Sequence, residues 1–338
     1  MSPDARWTVS PAGYRRIAWF ALASQVGIVV TGAAVRLTKS GLGCTDWPGC
    51  SEERFVPEWG FHHWVEFGNR LLIIILAVAA IAAVVGARRR RPYRPGLQSL
   101  GWILLGGIFA QAIIGAVLVK LELDPRLTVL HFVASIVLIV VAVLLVHRSA
   151  ADGALTGRSL IGLAATDRPP SWPAPIKAAV AVVAAAVTVV VGTGTVVTGS
   201  GPHGGDARAD RFGFELSSVT RIHSIAMWVF LASLLVLTLL VVRRPQRGGP
   251  GTSAVVALRS DVYALLALTA VQAVVGYLQY GLGVPAGLVA IHVTGSAVLW
   301  SAAVALVLKV GWGAVRTAPA EAPATPAEAP RHQVLSTG

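Results

Sequence analysis

The sequence predicts an all-α integral membrane protein with eight transmembrane helices arranged as two pseudo-symmetric four-helix bundles. Three observations predict it: eight long apolar segments, basic runs in alternate connections, and an internal repeat of constant offset. The chain is 55% hydrophobic and only 13% charged, with a mean hydropathy of +0.69. A soluble core cannot hide that much apolar surface, so lipid is the default solvent. A net charge of +12 would suggest nucleic acid in a soluble chain. Here the Lys and Arg stand between apolar segments, which is the pattern of membrane orientation and excludes a nucleic-acid partner.

The apolar segments fall at 17–35, 64–87, 98–119, 127–147, 176–198, 218–242, 259–280 and 286–310. Each can cross a hydrocarbon core of about 30 Å at about 1.5 Å per residue. Helices are required because lipid offers the backbone no hydrogen-bond partners, and the Ala/Val/Leu runs lack the alternation of a barrel. Ala21-Leu22-Ala23 resembles a signal cleavage site but falls early in its run, so the first segment is expected to be a retained helix.

Arg15 and Arg16 precede the first segment; Arg88–Arg91 and Arg94 follow the second; Arg148, Arg158 and Arg168 follow the fourth; Arg243, Arg244 and Arg247 follow the sixth. The opposite connections carry fewer, among them Arg36, Lys39, Lys120 and Arg208. A multi-pass cell-membrane protein with both termini cytoplasmic is therefore expected, the loop holding Cys44 and Cys50 lying outside. The halves are read as 1–150 and 175–312, joined by a cytoplasmic linker at 151–174. The tail 313–338 is expected to be disordered and cytoplasmic, because Ala318–Pro330 is Ala, Pro and Glu without a core-forming pattern.

Gln111-Ala-Ile-Ile-Gly115 matches Gln272-Ala-Val-Val-Gly276, and Val129-Leu-His131-Phe-Val-Ala-Ser135 matches Ala290-Ile-His292-Val-Thr-Gly-Ser296, both at an offset of 161 residues. Thr38-Lys-Ser40-Gly41 resembles Thr198-Gly-Ser200-Gly201. The halves run in the same direction, so a pseudo-two-fold axis along the membrane normal is expected.

Ionisable or metal-ligating side chains inside a membrane are functional candidates by default. Glu66 and Asn69 lie on helix 2, His131 on helix 4, His223 on helix 6 and His292 on helix 8, at one level and on helices of one direction. A single such His is often only a packing residue; three at matched depth are harder to explain that way. Zinc usually also takes Cys, Asp or Glu, and a bundle di-iron site wants several carboxylates with Glu-x-x-His, where this chain has Glu66 and Asn69. Heme fits better, two imidazoles on facing helices ligating one iron. His223 and His292 are the best pair. Arg221 could hold a propionate or simply snorkel to the interface. Asn69 and His131 are the first-half counterparts, which predicts a less symmetric, more open iron. Glu66, on the face of Asn69, could accept a proton or could serve as partner to Arg70 or Arg36. His62 reads as an interfacial residue that could approach the same site.

These residues resemble the heme A synthases, membrane enzymes of cytochrome oxidase biogenesis, from Val30 to Lys309. The likeness rests on Thr31-Gly32 through Arg36, Ser40-Gly41, Gly43-Cys44, Trp47-Pro48 and Cys50, on Glu66-Phe-Gly-Asn69-Arg70, on Arg221-Ile-His223-Ser, and on the two His-x-x-x-Ser repeats. The resemblance implies oxidation of the C8 methyl of heme O to the formyl group of heme A. It implies a b-type heme on His223 and His292, with Arg221 nearby. It places the substrate heme in the first half with His131, Asn69 and Arg70 and with Glu66 as the essential acid. It also implies a disulfide between Cys44 and Cys50, in a compartment that permits one. The family pattern on helix 2 is Glu-x-x-His-Arg, and this chain has Asn69 in place of the His. A heme O synthase, an electron donor and a homo-oligomer are partners the resemblance leaves open. A non-catalytic di-heme electron carrier, which needs no Glu66, and a transporter with repeated halves remain as rival readings.

Overall fold

The structure is a computed structural model and describes residues 7–150, 172–244 and 252–311. The linker and the tail read from the sequence fall almost wholly outside these residues. Among the described residues the chain is all-helical: α1 (Pro11–Leu37), α2 (Phe61–Arg89), α3 (Pro95–Lys120), α4 (Pro125–Ser149), α5 (Ala174–Ser200), α6 (Leu216–Val242), α7 (Thr252–Gly281) and α8 (Ala286–Gly311). All eight are long and apolar enough to cross a membrane.

The helix ends follow local chemistry. Ser10 caps α1 by accepting from the Gly13 N–H at 3.1 Å, and Asp124 caps α4 by accepting from the Arg126 N–H at 2.8 Å. Each cap is followed by a proline, whose missing N–H costs nothing in a first turn. Arg88 and Arg89 close α2 and Lys120 closes α3, cations at the negative end of the helix dipole.

Each half closes into a ring. Helices α1, α2, α3 and α4 touch in cyclic order, as do α5, α6, α7 and α8, so α2 faces α4 and α6 faces α8 across a bundle centre. The halves meet through α1 with α8, α4 with α8, and α4 with α5, a neighbour pattern unchanged when the halves are exchanged. Small residues let the first-half helices approach closely: Ala18, Ala21, Ala79, Ala80, Ala83, Ala87 and Ala142 are all buried in one core. At the seam, the Trp300 indole N–H donates to the Ile136 carbonyl at 3.2 Å. Ile74, Val78, Ile103, Phe109 and Ile113 face outward, as lipid-facing surfaces do.

Candidate functional site

His223 and His292 project from α6 and α8 toward each other across the second-half centre, with ring centroids 6.4 Å apart and planes at 82°. Imidazole nitrogen binds a metal at about 2 Å. Adding half a ring on each side, two axial imidazoles on one iron stand roughly 6 Å apart, so the spacing fits. The surroundings orient both rings. The Thr193 hydroxyl, on α5, sits 2.9 Å from the Val189 carbonyl and 3.1 Å from His223 Nδ1. With its proton given to the backbone, the hydroxyl accepts from Nδ1–H, leaving Nε2 free to ligate. His292 Nδ1 is buried without a hydrogen-bond partner.

Room for the rings comes from glycine. A Cβ on Gly194 would stand 3.1 Å from His223 Cε1, one on Gly276 3.4 Å from His292 Cε1, and one on Gly115 3.6 Å from His131 Cε1. This explains half of the repeat; the glutamine explains the other half. The Gln111 side-chain amide donates to the His131 carbonyl at 3.0 Å and to Ser135 Oγ at 2.5 Å, bracing α4 one turn from Gly115. Gln272 lies against Gly295 in the matching place. The sequence displayed these residues as a repeat. Their role as ring supports required the packing, and Thr193 carried no sequence signal.

In the first half, α2 and α4 face each other as α6 and α8 do. His131 Nδ1 and Asn69 Oδ1 are both buried without a hydrogen-bond partner.

Glu66 is 4% exposed and both of its oxygens are engaged. Oε2 accepts from the Cys44 N–H at 2.7 Å, and Oε1 pairs with Arg70. Arg70 also donates to the carbonyls of Asp46 at 2.5 Å and Gly49 at 2.7 Å. The pair thus ties α2 to the loop closed by the Cys44–Cys50 disulfide. Gly43 is required there, since a Cβ would stand 2.4 Å from the His62 carbonyl oxygen. Of the two partners considered for Glu66, Arg70 is the one it meets. Arg36 instead donates to the His203 carbonyl of the other half at 2.7 Å. His62 is tied to Ser40 Oγ at 2.9 Å.

Arg221 is exposed. Its charge reaches Glu215, whose carboxyl is held below its ordinary range by the hydroxyls of Ser217 and Ser218 and more weakly by Arg221.

The profile of a family described as cytochrome oxidase assembly protein matches residues 15–60 and 56–203, more than half of the chain. A heme A synthase of Geobacillus thermodenitrificans is 36% identical over 105 residues, 31% of this chain and 32% of that protein. One of Geobacillus kaustophilus (strain HTA426) is 36% identical over 108 residues, 31% and 32% of the two chains. One of Lysinibacillus sphaericus (strain C3-41) is 32% identical over 127 residues, 36% and 41%. The alignments span about a third of these relatives' lengths. Taken with the eight membrane-spanning helices and the first-half motifs, the match shows that the chain belongs to the cytochrome oxidase assembly protein family.

Proposed function

We propose that this protein is a heme A synthase, oxidising the C8 methyl of heme O to a formyl group and supplying heme A for cytochrome oxidase. The observation that carries the heme assignment is the pair of imidazoles 6.4 Å apart across the second bundle. The relatives' shared name supports the reaction. In this reading His223 and His292 hold a b-type heme, which supplies one-electron transfer when bound. The substrate heme O enters the first half, with His131 as its iron ligand and Asn69 on the opposite side. The missing second imidazole leaves that side open, as a reacting centre requires.

The net change R–CH3 + H2O → R–CHO + 4 H+ + 4 e− proceeds in two two-electron steps through an alcohol, with water as the source of the formyl oxygen and an external electron acceptor taking the electrons. Glu66 is the proton acceptor, held in place by Arg70 and the Cys44 N–H. Arg70 acts by fixing Glu66 and the loop rather than by touching iron. The protein sits in the cell membrane with both termini cytoplasmic, its halves 1–150 and 175–312 related by a pseudo-two-fold axis along the membrane normal.

Heme extraction from cells carrying the gene and a heme O source tests the reaction. Wild type is expected to yield heme A, and Glu66→Gln a folded protein without heme A. If wild type yields neither heme A nor a hydroxylated precursor while retaining heme, the electron-carrier reading replaces this one. A colourless protein that moves a substrate would favour the transporter.

A further inference from the structure

The mouth of the second bundle is a cleft of about 520 Å³ lined by Ser200, Gly201, Pro202, Arg211, Leu216, Tyr280, Gly283 and Val284. These residues stand at the C-terminal ends of α5 and α7, in the α5–α6 connection that carries Arg211, at the first residue of α6 and in the turn before α8. His223 and His292 lie six or seven residues further along α6 and α8, roughly 10 Å below. A porphyrin held by His223 and His292 would sit beneath this mouth.

Arg211 is held in the cleft without a carboxylate. Its Nη1 donates to the carbonyls of Ala209 at 2.8 Å and Asp210 at 3.1 Å, and its Nη2 to that of Pro202 at 3.2 Å. The guanidinium crosses Gly204 so closely that a Cβ there would stand 1.6 Å from Nη1. Arg36 reaches the same loop from the first half, donating to Thr198 and His203 carbonyls, and its Nε is buried without a partner. Neither arginine has an acidic partner within ion-pair distance among the described residues. Two cations fixed by backbone carbonyls beside a cleft form a site that lacks its anion. The sequence had offered Arg221 for that task, but Arg221 is exposed and lies beside Glu215.

We infer that Arg211, with Arg36 pinning its loop, binds the carboxylates on the edge of the porphyrin held by His223 and His292. The inference rests on the heme reading of that histidine pair. A phospholipid headgroup phosphate offers the same anionic chemistry, and the test separates the two.

The purified protein is compared with Arg211→Gln, Arg211→Lys and Arg221→Gln by heme transfer to excess apomyoglobin, by spectrum and by bound phospholipid. Arg211→Gln is expected to keep the low-spin spectrum yet release heme about tenfold or more faster, the scale of one charge-assisted hydrogen bond. Arg211→Lys should recover part of the retention, since it keeps the charge but loses the fork. Arg221→Gln should match wild type. Unchanged release in both Arg211 variants overturns the inference, as does loss of phospholipid with heme retention intact. If Arg211→Gln fails to fold, Arg211→Met replaces it, and wild-type release by that variant overturns the inference. A wild type that takes up no heme overturns the parent reading, an outcome distinct from all of these.

Discussion

At the scale of single residues, the chemistry is set by what each imidazole's second nitrogen meets. The Thr193 hydroxyl lies 3.1 Å from His223 Nδ1, and a hydrogen bond accepted from Nδ1–H raises the basicity of the other nitrogen. Thr193→Val should therefore leave the fold intact and raise the reduction potential of the bound heme by some tens of mV (~59 mV being tenfold for one electron), read by spectroelectrochemistry. An unchanged potential would show that the hydroxyl is only a packing group. Glu66 shows the limit of sequence reading at this scale. Its i,i+4 relation to Arg70 was legible, and so was its depth. Its bond to the Cys44 N–H was not, because it depends on a loop folding back over α2.

At the scale of elements, each histidine helix leans on a neighbour cleared by glycine. Gly276→Leu should push the His292 ring aside and abolish low-spin heme. Gly287→Leu, on α8 itself at a position with nothing within 4 Å, should keep it. Absorption spectra of the two variants decide, and equal spectra would separate the glycine from the ring's placement. The disulfide is local. With a sequence separation of 6 between the cysteines, its chain-entropy contribution is about 2 kcal/mol. Cys44→Ser/Cys50→Ser should therefore speed amide exchange across residues 44–50 by about 30-fold, read by mass spectrometry, with little change in α5–α8. Apolar runs revealed the helices but not their ends. The first run was read from Ile17, yet α1 begins at Pro11 because Ser10 caps it. The seventh was read from residue 259, yet α7 begins at Thr252. Arg259 and Asp261, at the start of the run as read, lie well inside this helix, Asp261 pairing with Lys309 of α8 and Arg259 donating to the Val242 and Arg244 carbonyls at 2.7 Å. Such partners come from another helix and leave no local pattern.

At the scale of the whole molecule, two four-helix rings with matching neighbours carry different side chains at their centres. Both halves keep the Gln, Gly, His and Ser of α3–α4 and α7–α8, so their frames are alike. They differ on α2 and α6, where Asn69 stands opposite His131 and His223 opposite His292. In the proposed reading that difference would give the second half two imidazoles for its iron and the first half one, and the Glu66–Arg70 pair with the disulfide loop is built on the first half. The repeat and the histidines were legible because an intramembrane polar residue is rare and an offset of 161 residues is exact. The link between halves, through Arg36 to His203 and Gly41 to Gly205, was not, because loops of different sequence make it.

The central claim is that His223 and His292 grip one heme iron. The most direct measurement is the absorption spectrum of the purified protein beside its His223→Ala and His292→Ala variants, with heme extraction of each. A low-spin b-type spectrum in wild type that is lost in both variants is the expected result. Its persistence in both would contradict the account.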